Sequence, residues 1–82
     1  MKAEFSNTFL KNLNKLNPKL KSTIKSKIKQ ILIEPRIGIP LKANLKPFWK
    51  LRYSNYRIIY SFDENLVYFY ALNHRSKIYK KL

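Results

Sequence analysis

The chain has 82 residues, with 18 lysines and arginines against four acidic residues, a formal net charge of +14 and a pI near 10.3. This imbalance argues against an enzyme for neutral small molecules and favours a polyanionic partner, with nucleic acid first and an acidic protein as the alternative. We expect no membrane partner, because the charge is spread along the whole chain and a core uses the apolar positions. The chain lacks cysteine, which excludes disulfides and thiolate chemistry, and it has no apolar run as long as a signal peptide or a membrane span. We expect one domain, residues 1–82, in the cytoplasm.

The start of the chain predicts a short strand, Lys2 to Phe5, and then two helices. Ser6 or Asn7 can cap the first helix, because both side chains accept hydrogen bonds from the free backbone N–H groups of a first turn. Asn17 followed by Pro18 has the residue types of a cap and a first helical position, so a second helix begins there. The two consecutive helices predict a helical hairpin.

Each predicted helix has an apolar and a polar side. The apolar residues recur at helical spacing, and they are Phe9, Leu10, Leu13 and Leu16 in the first helix and Leu20, Ile24, Ile28, Ile31 and Leu32 in the second, which extends to about Glu34. The other side of the second helix carries lysines at positions Lys19, Lys21, Lys25, Lys27 and Lys29. Such a run is either solvated or in contact with a polyanion.

A linker and a β-hairpin follow the helices. Residues from Pro35 to Pro47 include three of the four prolines and the only glycine, which predicts a loop. Residues 48–60 are rich in aromatic and β-branched side chains around Ser54-Asn55, which predicts a hairpin with a two-residue primed turn, because Asn tolerates a positive φ. The predicted cross-strand pairs are Trp49–Tyr60, Lys50–Ile59, Leu51–Ile58, Arg52–Arg57 and Tyr53–Tyr56.

This register gives the hairpin a core face and a cationic face. The core face carries Trp49, Leu51, Tyr53, Tyr56, Ile58 and Tyr60. The other face, called the Arg57 face below, carries Lys50, Arg52 and Arg57 around Ile59. Like charges directly opposite each other cost up to about 1 kcal/mol, so the facing arginines favour a bound anion, although both guanidinium groups can instead extend into solvent.

A further strand over residues 66–72 completes the predicted sheet. If Phe62 pairs with Leu66, then Leu66, Tyr68, Tyr70 and Leu72 lie on the core face, and Val67, Phe69, Ala71, Asn73 and Arg75 lie on the Arg57 face; a bulge would reverse this. The tail from Ser76 to Leu82 can add a helical turn. The predicted fold is therefore α+β, with two N-terminal helices packed on one face of a small antiparallel β-sheet and a short C-terminal tail or helical turn.

The residues available for catalysis exclude most routes to phosphodiester cleavage. The four acids, Glu4, Glu34, Asp63 and Glu64, are scattered, so we expect no metal and no cofactor. His74 is the only histidine, which excludes catalysis by a histidine pair. RNA cleavage by the 2′-OH of the substrate remains, with arginine and lysine stabilising the phosphorane and a lysine or His74 moving protons. His74 can equally be a surface residue without a role.

Two segments resemble the RelE branch of the RelE/ParE toxin superfamily. They are Leu51-Arg52-x-x-x-Tyr56-Arg57-Ile58-Ile59-Tyr60, followed by an acidic turn, and Asn73-His74-Arg75-Ser76-Lys77-Ile78-Tyr79. The helix pair and Leu32-x-x-Pro35…Leu41-Lys42 fit as well, so the resemblance covers nearly the whole chain. It implies a RelE-like toxin that enters the ribosomal A site, cleaves mRNA without a metal, and is held inactive by an acidic RelB-like antitoxin in a hetero-oligomer.

The resemblance also implies roles for single residues. Arg57 matches the catalytic arginine of the family, Lys50 the lysine proposed as base, and Tyr79 the terminal tyrosine that stacks on the substrate base. Arg75 or His74 lies near the position of a later arginine, which in strict register is Asn73. The expected RNA contacts are Arg52, Lys46, Lys42 and Phe48, with Phe48, Phe69 or Tyr79 able to stack a base.

Two departures from the family pattern keep other functions open. The uncertain later arginine is one, and Phe48, which stands where the family has a second strand lysine, is the other. The ParE-like branch, which shares the fold but acts on DNA gyrase, therefore remains an alternative. A non-catalytic basic RNA-binding protein is a third possibility.

Overall fold

Five strands and two main helices form the fold, in a computed structural model that describes residues 1–78. The strands are β1 (Lys2–Phe5), β2 (Ile39–Pro40), β3 (Trp49–Tyr53), β4 (Tyr56–Phe62) and β5 (Leu66–His74), and the helices are α1 (Asn7–Asn14), α2 (Pro18–Ile33) and α3 (Arg75–Ile78). They form one sheet in the order β1-β5-β4-β3-β2. Among these residues, no helix is long and apolar enough to cross a membrane.

The predicted α+β class is confirmed, but the sheet is mixed where an antiparallel sheet was expected. Strands β2 to β5 pair in antiparallel fashion, whereas β1 runs parallel to β5. A parallel neighbour needs a long crossover connection. The two helices and the rest of the sheet lie between β1 and β5 in the sequence, so this condition is met.

Capping residues begin both main helices as predicted. The backbone N–H of Phe9 donates to Ser6 Oγ (3.0 Å), and the backbone N–H of Leu20 donates to Asn17 Oδ1 (2.8 Å). Helix α1 ends at Asn14, earlier than the sequence pattern indicated. Leu10 is 42% exposed and does not belong to the buried side of α1.

The main core lies between the two helices and one face of the sheet, the helix face. Ten buried residues form it, namely Phe9, Leu13, Ile24, Ile28, Ile31, Ile58, Tyr60, Val67, Phe69 and Leu72. Phe69 stacks on Phe5 with ring centroids 4.9 Å apart, and Phe9 packs against both rings. Burial of this apolar surface is the main stabilising contribution to the fold.

The β3–β4 hairpin has the register that the sequence predicts. All five expected pairs form, including Arg52 opposite Arg57. The turn has two residues, but the positive φ (53°) is at Ser54, the position where a type II′ turn requires it. Asn55, which was expected to supply this conformation, does not adopt it.

The predicted pairing of β4 with β5, with Phe62 opposite Leu66, is wrong, and a bulge divides the observed pairing into two registers. Phe62 pairs with Val67 and Tyr60 with Phe69, whereas Ile59 pairs with Ala71, so Tyr70 is the extra residue. Val67 and Phe69 therefore lie on the helix face, while Tyr70 packs with the opposite side. The faces predicted for Leu72 and Ala71 are correct.

A second, smaller cluster covers part of the Arg57 face, which the sequence had suggested was mainly cationic. Leu41, Ile59, Ala71 and Ile78 are its buried members. Leu45, Phe48 and Tyr70 are half-buried around them. The linker and α3 thus pack on this face, because the linker contributes Leu41 and Leu45 to the cluster and α3 contributes Ile78.

Tyr60 joins the linker to the sheet. Its hydroxyl donates a 2.6 Å hydrogen bond to the Pro35 carbonyl, and burial raises the pKa of Tyr60 to about 12. Nearby Gly38 has no space for a side chain, because an added Cβ would collide with the Tyr60 hydroxyl and the Lys50 carbonyl. A glycine here allows the linker to approach strand β3 closely.

Candidate nucleic-acid interface

A polar row crosses three strands on the Arg57 face. Arg52 on β3 pairs with Arg57 on β4, and Arg57 pairs with Asn73 on β5. Lys50 lies two residues from Arg52 on the same face and pairs with Ile59. Directly paired residues on one face stand about 5 Å apart and diagonal neighbours about 7–8 Å, so the long side chains of the two arginines and of Lys50 can reach one anionic group.

Hydrogen bonds fix the guanidinium group of Arg57 beside the hairpin turn. Its Nη1 donates to the Tyr56 carbonyl (2.8 Å) and to the Ser54 carbonyl (3.1 Å). The side chain is half-buried, whereas Arg52 is exposed. Both of these hydrogen bonds use Nη1, which leaves the Nε and Nη2 donors of the planar group for a phosphate oxygen.

The linker brings two further lysines to this side of the sheet. Leu41 and Leu45 of the linker pack into the smaller cluster, and the backbone N–H of Leu41 donates to the Phe48 carbonyl (2.8 Å). Lys42 and Lys46 are exposed on the same segment. They therefore flank the Arg57 face as expected for contacts with a polyanion.

The end of β5 places Arg75 and His74 differently. Arg75 is exposed at the start of α3, and its backbone N–H donates to the Asn55 carbonyl in the hairpin turn (2.6 Å). His74 pairs with Tyr56, whose ring packs on the main core and lies 5.9 Å from the imidazole, edge to face. The structure thus brings Arg75 to the Arg57 end of the hairpin and His74 to the helix side. Tyr79 lies outside the described residues.

The imidazole of His74 has a structural contact of its own. The backbone N–H of Ser76 donates to His74 Nδ1 (3.2 Å), and Ser76 Oγ lies 2.9 Å from the same nitrogen. His74 therefore caps the first turn of α3.

The bulge changes which aromatic residue of β5 can stack a base. Phe69, a predicted stacking residue, is fully buried on the helix face, so it is excluded. Tyr70, which the sequence placed in the core, is half-buried on the Arg57 side, with its ring centroid 4.8 Å from that of Phe48. The continuous apolar run through residues 66–72 was the only signal for this change, since simple alternation cannot place such a run.

Charge is distributed unevenly along strand β4. Its first end carries Arg57 beside Arg52, while the turn after its other end carries Asp63 and Glu64. Glu34, which precedes the linker, lies near the same acidic turn, since both line one depression. A polyanion is therefore attracted more strongly to the Arg57 end than to the acidic end.

A comparison with protein families identifies the class of protein. Residues 3–79 match the family described as the ParE toxin of type II toxin–antitoxin systems, parDE. The chain belongs to this family of toxins, which lies within the RelE/ParE superfamily, so the resemblance noted from the sequence is confirmed. A search of curated proteins found no match.

Solved structures with the same fold include RelE toxins, alone or with antitoxins. The RelBE2 toxin–antitoxin complex from Mycobacterium tuberculosis is 27% identical over 90% of this chain and 96% of the other, with a TM-score of 0.80. The intact E. coli RelBE complex is 25% identical over 89% and 94% of the two chains (TM-score 0.74). The isolated E. coli RelE toxin, 23% identical over 89% and 82%, shares the fold with a TM-score of 0.77.

Proposed function

We propose that this toxin is a ribosome-dependent mRNA endoribonuclease that cleaves in the A site by attack of the substrate 2′-OH. The observation that carries the proposal is the row of Arg52, Arg57 and Asn73, with Lys50 next to it on the same face. Two facing arginines are unfavourable for folding alone. A phosphodiester bound between them relieves this repulsion, and ribosomes place the reaction in the cytoplasm.

The reaction needs no metal in this scheme. The 2′-oxygen attacks the adjacent phosphorus and loses its proton to a base, the P–O5′ bond breaks, and the 5′-oxygen takes up a proton. The products are a 2′,3′-cyclic phosphate and a 5′-hydroxyl. Negative charge increases on the phosphoryl oxygens in the pentacoordinate state, and guanidinium groups fixed beforehand stabilise it more than they stabilise the substrate.

Individual roles follow from the site geometry and from the family resemblance. Arg57 is the main stabiliser of the phosphorane, because hydrogen bonds already fix its guanidinium. Lys50 is the candidate base, on the same face as Arg57. Arg75 is a candidate for a second phosphate contact, and Tyr79 for stacking on the substrate base. His74 remains the weakest candidate for proton transfer, since its Nδ1 caps α3.

An acidic antitoxin is the expected protein partner. Two of the similar structures are toxin–antitoxin complexes of the RelB and RelE type. A toxin with a net charge of +14 and an anion site must be covered to be harmless, and an acidic protein satisfies both demands. Coexpression with the neighbouring gene product should therefore yield a stable complex; a toxin that is harmless alone and ignores that product would contradict this.

A ParE-like action on DNA gyrase is the second candidate. The family model that the sequence matches is that of ParE toxins, whereas the similar structures are RelE toxins. One fold supports both activities, so the fold does not choose between them. The two activities are distinguished by whether mRNA or DNA is damaged after the toxin is induced.

Induction of the toxin in growing cells distinguishes the two candidates. Primer extension on a translated mRNA should show new 5′ ends within codons, and a copy of the same mRNA without a start codon, which is not translated, should stay intact. Arg57→Ala, induced to the same level, is the control for catalysis. Intact translated mRNA together with double-strand DNA breaks would replace the endoribonuclease by the ParE-like activity.

A further inference from the structure

Two aromatic rings, Phe48 and Tyr70, form a pair on the side of the sheet that carries Arg57. Their centroids are 4.8 Å apart, with 34° between the planes, and both side chains are half-buried. They pack against the smaller cluster, whose buried members include Ile59 and Ala71. The rings are therefore held in place by packing.

The pair exists because of the bulge in β5. Without the extra residue, alternation from Phe69 on the helix face would not allow both Tyr70 and Ala71 to pack on the opposite side, as they do. Bulges often redirect side chains next to functional sites. Here the redirected side chain is a tyrosine three residues from Asn73, about 10 Å along the strand from the Arg57 row.

We infer that Phe48 and Tyr70 form a stacking platform for a base of single-stranded RNA whose phosphate lies at Arg57. The inference rests on the proposed RNA substrate. Aromatic rings beside a cationic groove are the general means by which proteins hold unpaired bases, because every base has a flat π-face. Lys46 and Lys50 are close to Phe48 in the sequence, on the linker and on β3, so the rings and the positive charges belong to one surface.

A base should stack at one end of the aromatic row and not at the other. Tyr68 extends the aromatic row, with its ring centroid 6.2 Å from that of Tyr70. It pairs with Glu4 of β1, however, and this carboxylate disfavours an approaching phosphate. The base should therefore stack at the end formed by Phe48 and Tyr70, nearer to Arg57.

Two oligonucleotides separate stacking from charge attraction. The first is a short single-stranded RNA with 2′-O-methyl groups, which cannot be cleaved by 2′-OH attack, and the second has the same backbone without bases. The wild-type toxin should bind the first about 5- to 150-fold more tightly than the second at low salt. Equal affinity for both, or no binding of either, would overturn the inference.

Three variants locate this preference on Tyr70. Tyr70→Leu should lose most of the preference for bases and keep its affinity for the abasic backbone, whereas Tyr70→Phe, which retains the ring, should behave like wild type. Tyr53→Leu is the matched control, since Tyr53 is a half-buried tyrosine on the helix face with the Lys27 ammonium group 5.7 Å from its ring centre. Circular dichroism and thermal unfolding check that each variant is folded.

The results that would refute the stacking platform differ from those that would refute the proposed endoribonuclease activity. If Tyr70→Leu still prefers the base-bearing oligonucleotide, or loses affinity for both equally, the platform is wrong even in a toxin that cleaves mRNA. A Tyr70→Leu toxin that keeps the preference but no longer binds the antitoxin assigns the rings to the protein partner, which also overturns the inference. A base preference that depends on Tyr70 in a toxin that does not cleave supports the platform and refutes only the catalytic proposal.

Discussion

The two faces of the sheet consist of the same strands but carry different side chains for different purposes. Ten buried residues fill the core between the helix face and helices α1 and α2, and two of them, Phe9 and Phe69, pack with the ring of Phe5. The Arg57 face buries four residues in the smaller cluster and exposes cations around them. Alternation along each strand thus separates the side chains of the core from those of the proposed anion site, so a substitution on one face should affect one property far more than the other.

The largest expected effect on stability comes from the helix face. Phe9 is fully buried, so Phe9→Ala should lower the free energy of unfolding by about 3–5 kcal/mol. Leu10→Ala, one residue away on the exposed side of α1, should change it by less than about 0.5 kcal/mol. Urea denaturation monitored by circular dichroism measures both. Similar losses for the two variants would mean that this core is not the main source of stability.

The opposite result is expected for Arg57→Ala on the Arg57 face. Removal of a guanidinium that contacts the phosphate mainly in the transition state costs about 10²–10³ in rate, or about 3–4 kcal/mol, with little change in stability. Single-turnover cleavage on programmed ribosomes measures the rate, and thermal unfolding measures the stability.

Two lysine-to-alanine variants serve as comparisons for Arg57→Ala. Lys50→Ala should lower the rate by a comparable factor and change its pH dependence if Lys50 is the base. Lys25→Ala, on the exposed side of α2, should change only the salt sensitivity of binding. An Arg57→Ala toxin that cleaves at near wild-type rate would show that the facing arginines are merely solvated.

A smaller, pH-dependent effect is expected at Tyr60, which belongs to the helix face but bonds to the linker. Tyr60→Phe loses the hydrogen bond to the Pro35 carbonyl, so at neutral pH it should be less stable than wild type by about 1–3 kcal/mol. The phenol ionises near 10 when unfolded, whereas its pKa in the fold is about 12. Above pH 10 the unfolded chain loses this proton first, so wild type loses up to about 3 kcal/mol between pH 10 and 12.

The ionisation of Tyr60 is read from the difference in stability between wild type and Tyr60→Phe. The lysines titrate in both proteins, so their effect cancels in this difference. The stability gap between wild type and Tyr60→Phe should narrow from pH 10 to pH 12 and stay constant below pH 9. Urea denaturation at a series of pH values measures this gap. A gap that is independent of pH would mean that the hydroxyl is not held in a dehydrated environment.

Local signals were sufficient for most elements of the fold and for the centre of the candidate site. Ser6 and Asn17 act as caps, and the β3–β4 hairpin has the predicted pairs, because a helix start and a two-residue turn depend on neighbouring residues. The same hairpin places Lys50, Arg52 and Arg57 on one face. The net charge and these three residues were therefore available from the sequence alone.

The tertiary structure decided the rest, and β5 shows why. Phe69 and Leu72 both pack in the main core, yet they are three residues apart, so regular alternation would place them on opposite faces. The extra residue Tyr70 resolves the conflict, at a cost in regular pairing that burial of both side chains offsets. The partners that reward this burial, Phe5 and Phe9, are about 60 residues away in the chain, so no local pattern contains the information. For the same reason the sequence analysis counted Phe69 among three candidates for base stacking, while the fold buries Phe69 and brings Tyr70 to Phe48.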